Sequence, residues 1–252
     1  MAKYKETAVI SSQEQIGSDI YSMCLRTKQI AKEAKAGQFV AVYCKEGSRL
    51  LPRPISICEI NGDELRLVYR IAGKGTDEFS QMKAGMEVEV LGPLGNGFPK
   101  AEGKALIIGG GIGIPPMLQL AKELTGEKNI VAGYRDILFL NEELEQYGNM
   151  YIATDDGSAG TKGTVIDAIK ANQIQADVIY ACGPMPMLKA VKAYATEQNI
   201  PAWISLEEHM ACGIGACLGC VVKTKHKDEH TNVNNTRICL EGPVFNSEEV
   251  EI

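Results

Sequence analysis

Four of the eight cysteines fall into one C-terminal pattern. Cys212, Cys217 and Cys220 lie within ACGIGACLGC, and Cys239 follows in RICLEGPVF, giving Cys-x4-Cys-x2-Cys-x18-Cys. Cys-x4-Cys-x2-Cys followed by a distant fourth cysteine is the spacing of plant-type [2Fe-2S] ligands. Three thiolates from one tight loop reach two irons only if the backbone wraps them closely. Gly213, Gly215 and Gly219 supply the positive φ and close approach that this wrapping needs. Four thiolates also suit a structural zinc, although such sites usually draw their ligands as two separated Cys-x2-Cys-like pairs. A thiol–disulfide couple at Cys217 and Cys220 would leave Cys212 without a role. Cys24, Cys44 and Cys58 are scattered through apolar or alternating stretches and read as small buried hydrophobes.

Two glycine turns offer a different chemistry. ALIIGGGIGIPPML sets Gly109, Gly110, Gly111 and Gly113 between a strand pattern and a helix pattern. Backbone N–H groups and a helix N-terminus at such a junction can receive a pyrophosphate. Pro116 stands at the place of the third glycine of G-x-G-x-x-G, so the segment alone reads equally well as a plain tight turn. DVIYACGPMPML repeats the arrangement with Cys182, Gly183 and Pro184. Two such turns at strand carboxyl ends can flank one dinucleotide crevice.

Near the N-terminus, LLPRPISICE offers Arg53 as a phosphate clamp and Ser56 as a hydrogen-bonding group for a flavin ring edge. LVYRIAGKGTDEFSQM adds Tyr69, Arg70 and a glycine loop from Gly73 to Gly75. Thr76 reads there as a helix N-cap, with Asp77 and Glu78 in the first turn and free amides for a second pyrophosphate. The three histidines, His209, His226 and His230, lie near the cysteine cluster or in the polar stretch 223–237 and read as solvated groups. The chain offers no base for carbon chemistry.

These residues need three kinds of scaffold. Residues 1–100 read as a small antiparallel β-barrel: GQFVAVYC, DELRLVYRIAG and GMEVEVLG alternate with period two, Met86, Val88 and Val90 forming one apolar face. Residues 101–205 read as an α/β unit with a parallel sheet. KALIIGG, NIVAGYR, MYIATDD, DVIYACG and AWISLEE are strands, and PPMLQLAKEL, TVIDAIKAN and PMLKAVKAYATEQ are helices between them. Residues 206–252 form a short third region holding the cysteines, with 223–237 as an exposed hairpin or loop. The fold class is therefore a multi-region α+β chain.

The chain has 252 residues, 45% hydrophobic and 23% charged, ample for more than one core. A net charge of -6 argues against nucleic acid or an anionic membrane as partner. The start, MAKYKETAVISSQEQ, has no apolar signal region, and the longest apolar stretch is broken by Gly and Pro. The expectation is a cytoplasmic protein.

The motifs together resemble the ferredoxin-NADP reductase superfamily, a flavin barrel followed by a nicotinamide domain. RPIS is similar to its R-x-Y-S flavin signature, with Ile55 in place of the tyrosine. A closer resemblance spans the whole chain. RPISI, YRIAGKGT, LGPLGNGFP, GGGIGIPPM, CGPMPML, EEHMACGIGACLGC and CLEGPVF, in this order, resemble the electron-transfer subunits of NAD-dependent (type B) dihydroorotate dehydrogenases. That resemblance implies FAD, one [2Fe-2S] cluster, NAD, and a partner subunit carrying FMN and the dihydroorotate site, in a heterotetramer of two of each. It places FAD on Arg53, Pro54, Ile55, Ser56, Val68, Tyr69, Arg70, Gly75 and Thr76. It places NAD on Gly109, Gly110, Gly111, Gly113, Cys182, Gly183 and Pro184, and the cluster on Cys212, Cys217, Cys220 and Cys239. Asp155 and Asp156, after a strand, would repel a 2′-phosphate if they line that pocket. The chemistry is coherent: nicotinamide exchanges a hydride, a cluster carries single electrons, and a flavin does both. The alternatives are a flavin and iron–sulfur subunit of another NAD(P)H complex (hydrogenase, sulfide dehydrogenase or transhydrogenase type) and a zinc-stapled interaction module.

Overall fold

The computed structural model describes residues 2–252 apart from Asp136, His226 and residues 228–231. The N-terminal part comprises β1 (Tyr4–Gln15), β2 (Ile20–Arg26), α1 (Ile30–Glu33), β3 (Phe39–Val42), β4 (Arg53–Asn61), β5 (Glu64–Arg70), α2 (Lys74–Ser80) and β6 (Glu87–Leu94). The six strands close into an antiparallel barrel in the order β1-β2-β5-β4-β3-β6. Period-two patterning drives this closure. Leu65, Leu67 and Tyr69 of β5 and Val88 and Val90 of β6 point into one core, while Glu87 and Glu89 face water. Met86 departs from the expected apolar face: it precedes β6 in the turn from Lys83 and is 42% exposed. Cys58 is fully buried as expected, whereas Cys24 and Cys44 are half-buried.

The next part comprises β7 (Ala105–Gly110), α3 (Pro115–Glu123), β8 (Lys128–Tyr134), α4 (Asn141–Glu145), β9 (Asn149–Thr154), β10 (Thr161–Lys162), α5 (Val165–Ala171), β11 (Val178–Cys182), α6 (Met185–Gln198) and β12 (Ala202–Ser205). The chain ends with β13 (Val221–Lys223), β14 (Asn235–Arg237) and β15 (Val244–Asn246). One sheet runs β10-β9-β8-β7-β11-β12-β15, parallel except where β15 pairs antiparallel with β12. Its central strands, β7 and β11, are buried along their whole length, as a sheet covered on both faces requires. Pro115 and Pro116 open α3, where the missing N–H costs nothing. Thr164 caps α5, accepting from the Asp167 N–H, while Asp167 accepts from the Thr164 N–H at 2.7 Å.

The cysteine-bearing segment thus lends its last strand to the sheet of the middle region, and β13 and β14 form a separate antiparallel hairpin. The expected hairpin at 223–237 therefore has its base in place. His226 and His230 lie outside the described residues. Barrel and sheet are fastened by polar contacts along α3 and α4. Ile60 N–H donates to Gln119 Oε1 at 2.8 Å, Lys122 Nζ meets Glu59 at 2.6 Å, and Arg66 is shared between Glu59 and Glu143. Among the described residues, no helix is long and apolar enough to cross a membrane.

Candidate functional site

A cleft of about 510 Å3 opens between the barrel and the sheet. Pro54, Ile55, Ser56, Val68, Tyr69, Arg70 and Thr76 form its barrel wall. β3, β4 and β5 place them there, since β4 pairs with both β3 and β5. Arg53 and Gly75, each next in sequence to a lining residue, pack on one another: a Cβ on Gly75 would stand 2.7 Å from the Arg53 Cζ. The guanidinium is thereby laid across the first turn of α2, a geometry suited to a bridging phosphate.

Thr76 sits differently from its expected N-cap place. The N-cap of α2 is Gly73, and Thr76 is the third residue of the helix. Its hydroxyl turns back to accept from Ala72 N–H at 2.9 Å and Gly73 N–H at 3.2 Å. The sequence suggested a cap because threonine before two acids is a common helix start. Here the helix starts one turn earlier at Gly73, whose backbone is simply extended, and the Thr76 hydroxyl serves that start from inside the first turn.

The two glycine turns of the sheet come together. β7 and β11 are neighbours with Gly109 opposite Cys182. A Cβ on Gly113 would lie 2.5 Å from the Cys182 carbonyl carbon, and one on Gly183 would lie 3.1 Å from Gly110 Cα. The backbones approach closely, with the Met187 side chain against both Gly110 and Gly183, at the carboxyl ends of parallel strands where open α/β sheets bind nucleotides. Gly111 takes φ of +51°, and the adjoining Ile112 lines the same cleft. Pro184 lies beside Gly110. Burial raises the Cys182 thiol well above its ordinary range, with Glu207 adding to the rise and Ser205 opposing it by a hydrogen bond.

One wall was not read from the sequence. Ser205, Leu206, Glu207, Glu208, His209 and Met210 line the cleft on their way from β12 to Cys212, joined by Phe39 and Pro243. The available signal was their position beyond a parallel strand's carboxyl end. Glu207 is open to water through the cleft mouth, yet protein crowds its carboxyl, and that burial raises its pKa. It makes no ion pair or side-chain hydrogen bond among the described residues.

The four expected ligand cysteines meet in pairs. Cys212 Sγ accepts from Ile214 N–H at 3.4 Å and Ala216 N–H at 3.3 Å. Burial raises this thiol, but the N–H of Ile214, the backbone and thiol of Cys217, and the Ala216 N–H outweigh it and hold the pKa at about 6. Cys220 Sγ accepts from Cys239 N–H at 3.4 Å. Burial first, then the adjacent Cys220 thiol, push Cys239 up to about 12. Cys220 and Cys239 are 2% and 1% exposed, whereas Cys217 is exposed, so one pair faces the interior and one the surface.

Gly213 and Gly215 take φ of +68° and +86°, as the tight wrap demands. Arg237 closes the nest, donating to Gly215 O at 2.9 Å while pairing with Glu241. Among the described residues, no three His, Cys, Asp or Glu side chains gather at one point as ligands of a single ion. Two thiol pairs, a thiolate already favoured at Cys212, and N–H groups turned to sulfur fit two irons with bridging sulfides.

Two family models match the chain. Residues 207–251 match the iron–sulfur cluster binding domain of dihydroorotate dehydrogenase B, and residues 107–193 match the oxidoreductase NAD-binding domain. The chain is 41% identical over 250 residues to the dihydroorotate dehydrogenase B (NAD(+)) electron transfer subunit of Caldanaerobacter subterraneus subsp. tengcongensis, covering 98% of this chain and 99% of that one. The subunit of the same name from Streptococcus mutans is 43% identical over 258 residues, covering 98% of each. Among solved structures, a chain of an NADH-dependent reduced ferredoxin-NADP oxidoreductase superposes with a TM-score of 0.88 at 30% identity, covering 98% of this chain and 90% of that one. The ferredoxin reductase of carbazole 1,9a-dioxygenase shares the fold, with a TM-score of 0.67 at 21% identity over 80% of this chain and 68% of that one. These likenesses make the cysteine region an iron–sulfur domain, not a zinc module, and give the chain FAD, [2Fe-2S] and NAD as its redox groups.

Proposed function

The chain belongs to the family of dihydroorotate dehydrogenase B (NAD(+)) electron transfer subunits, and from that premise we propose a residue-level path from a partner's FMN to NAD+. It is an oxidoreductase subunit that carries electrons through [2Fe-2S] and FAD to NAD+ for dihydroorotate oxidation. Bound FAD exchanges hydride with NAD and single electrons with the cluster, so the assembly converts between two-electron and one-electron traffic. The partner holds FMN and the dihydroorotate site, the assembly is a heterotetramer of two of each subunit, and it works in the cytoplasm.

In this reading Arg53 to Ser56, Val68 to Arg70, Gly75 and Thr76 hold FAD. Arg53 takes the pyrophosphate with the first turn of α2. Gly109 to Gly111, Gly113 and Cys182 to Pro184 receive NAD at the paired turns. Cys212 and Cys217 hold one iron, and Cys220 and Cys239 the other. The three units are residues 1–100, 101–205 and 206–252. Ile214 and Leu218, 43% and 62% exposed, sit beside the outer thiol pair and support that side as the partner face.

The observation that carries this reading is the continuity of cleft and nest. The wall ending at Met210 runs straight into Cys212, and Pro243, four residues after Cys239, lines the same cleft. The test is to purify the chain with its native partner and measure cofactors and turnover. About one FAD, two irons and two labile sulfides per chain are expected, with NAD+ reduction driven by dihydroorotate. Bound zinc without labile sulfide would sink the cofactor assignment.

A second reading follows from the 30% identity to the NADH-dependent reduced ferredoxin-NADP oxidoreductase chain: service in another NAD(P)H complex, of hydrogenase, sulfide dehydrogenase or transhydrogenase type. A co-purifying partner without dihydroorotate activity would favour it.

A further inference from the structure

LGPLGNGFP was singled out in the sequence, yet no FAD, NAD or cluster role absorbs it. The structure gives it a place. β6 ends at Leu94, and the turn Gly95–Asn96 that follows lies against the segment leaving Cys239. Asn96 addresses three consecutive carbonyls there. Its side-chain amide donates to Leu240 O at 3.3 Å and Glu241 O at 2.8 Å, and its backbone N–H donates to Gly242 O at 2.6 Å. We propose that Asn96 is a positioning residue that sets the seat of the iron–sulfur nest against the flavin cleft. This rests on the cluster and FAD assignments above.

The turn that carries Asn96 is itself fixed from the barrel side. Gln38 is fully buried; its side-chain amide donates to Gly95 O at 2.7 Å and accepts from Lys35 N–H at 2.9 Å, while its backbone carbonyl accepts from Ile57 N–H at 3.0 Å. Gly95 has φ of +70°, and a Cβ there would stand 2.5 Å from Pro243 Cδ and 3.1 Å from Phe39 Cε1. Phe39 and Pro243 both line the cleft, and Phe39 is the strand partner of Ser56. Cleft wall, glycine turn, Asn96 and the Cys239 segment therefore form one contiguous stack. On the far side, Arg237 and Glu241 tie that segment to Gly215 in the loop of the other thiols. A displacement at Asn96 would move both thiol pairs relative to the flavin.

Single-electron passage weakens steeply as the gap between donor and acceptor grows, whereas hydride exchange in the cleft does not involve the nest. The two steps separate the proposal from a general stabilising role, which would lower the melting temperature without changing the rate per loaded cluster.

The experiment uses the FAD- and cluster-loaded chain in complex with its catalytic partner. NADH is mixed in, flavin bleaching is followed by absorbance, and cluster reduction by rapid-freeze electron paramagnetic resonance, normalised to the signal after dithionite. In Asn96→Ala, cluster reduction is expected to slow several-fold, because single-electron passage falls off steeply with the gap between flavin and nest. Asn96→Asp, which aims a carboxylate at the same carbonyls, should slow it further. The first phase of flavin bleaching, that of FAD, should stay within about twofold of wild type, because the hydride step keeps its geometry, whereas the partner's FMN, reached through the nest, should slow with the cluster. If Asn96→Ala loses the cluster with FAD retained, Asn96→Ser supplies the rate per loaded cluster. Where Asn96→Ala loses FAD as well, Asn96→Ser replaces it, with a smaller slowing expected. A wild-type rate per loaded cluster in the tested variant overturns the proposal. If the wild-type complex itself shows no NADH-reducible cluster, the failure lies with the electron-path reading and not with Asn96.

Discussion

Gly75 lacks a Cβ where the Arg53 guanidinium lies: a methyl group there would come within 2.7 Å of the Arg53 Cζ. The arginine and the start of α2 are thus fitted to each other before any ligand arrives. Replacing Arg53 by Ala should weaken FAD binding by about 1.5–3 kcal/mol, the range for a charge-assisted hydrogen bond. Gly75→Ala should do much the same while leaving the charge in place, because it pushes the guanidinium off the helix turn. The double variant should lose little more than either single one, since both remove one arrangement. FAD titration by fluorescence quenching measures all three. Full affinity in Gly75→Ala would show that the packing does not aim the arginine.

Glu207 yields a prediction about stability and pH. Crowding raises the pKa of its carboxyl above the ordinary glutamate value. Such a group binds its proton more tightly in the folded chain. Its contribution to stability is full below the unfolded pKa and is lost as pH rises through the folded one. Glu207→Gln, which cannot ionise, should match wild type in melting temperature in acid and exceed it at neutral pH. A difference that does not grow with pH would contradict the raised carboxyl.

In the cluster-free chain, Cys212 should be the first thiol to be alkylated. Its pKa of about 6 makes it a thiolate at neutral pH, while Cys239 at about 12 remains protonated. Reaction with iodoacetamide, read by peptide mass spectrometry, should reach half its maximal rate for Cys212 near pH 6. Below that pH protonation should suppress it, and Cys239 should stay unmodified at neutral pH. Equal labelling of the two would mean that the N–H groups of Ile214 and Ala216 do not hold the sulfur.

The sequence exposed whatever depends on local spacing. Val88 and Val90 betray a barrel strand by alternation, and the run at 105–110 betrays a covered parallel strand by its unbroken apolarity. The cysteine pattern was legible because its spacing sets the tight loop in which Gly213 and Gly215 take positive φ. What the sequence hid are contacts between distant segments. Asn96 and Leu240 are 144 residues apart, and no local pattern links them. The stretch from Ser205 to Met210 read as the end of a strand and the approach to the cysteines, not as a cleft wall, since that role comes only from where β12 ends beside β11. Thr76 misled because a threonine before acids can equally sit in the first turn and accept from the N–H groups of the residues that precede the helix, as it does from Ala72 and Gly73. β15 was missed because three residues are too few to show a period, and its pairing with β12 is tertiary.

Cys220 gives the test that divides the electron path. Its sulfur is buried and accepts from the Cys239 N–H, so the inner thiol pair depends on it. In the proposed path, hydride exchange between nicotinamide and FAD needs only the cleft and the glycine turns, and passage to or from the partner needs the nest. In Cys220→Ala the cluster should therefore be lost, while NADH still reduces FAD and artificial dyes. Dihydroorotate-dependent NAD+ reduction by the assembled complex should collapse. Alanine is preferred to serine, whose oxygen could still ligate iron. Gel filtration must first show the variant bound to its partner, because a loosened nest could also spoil the interface. An assembled, cluster-free complex that kept near-normal dihydroorotate:NAD+ turnover would rule out the relay, and electrons would then have to pass directly between the two flavins.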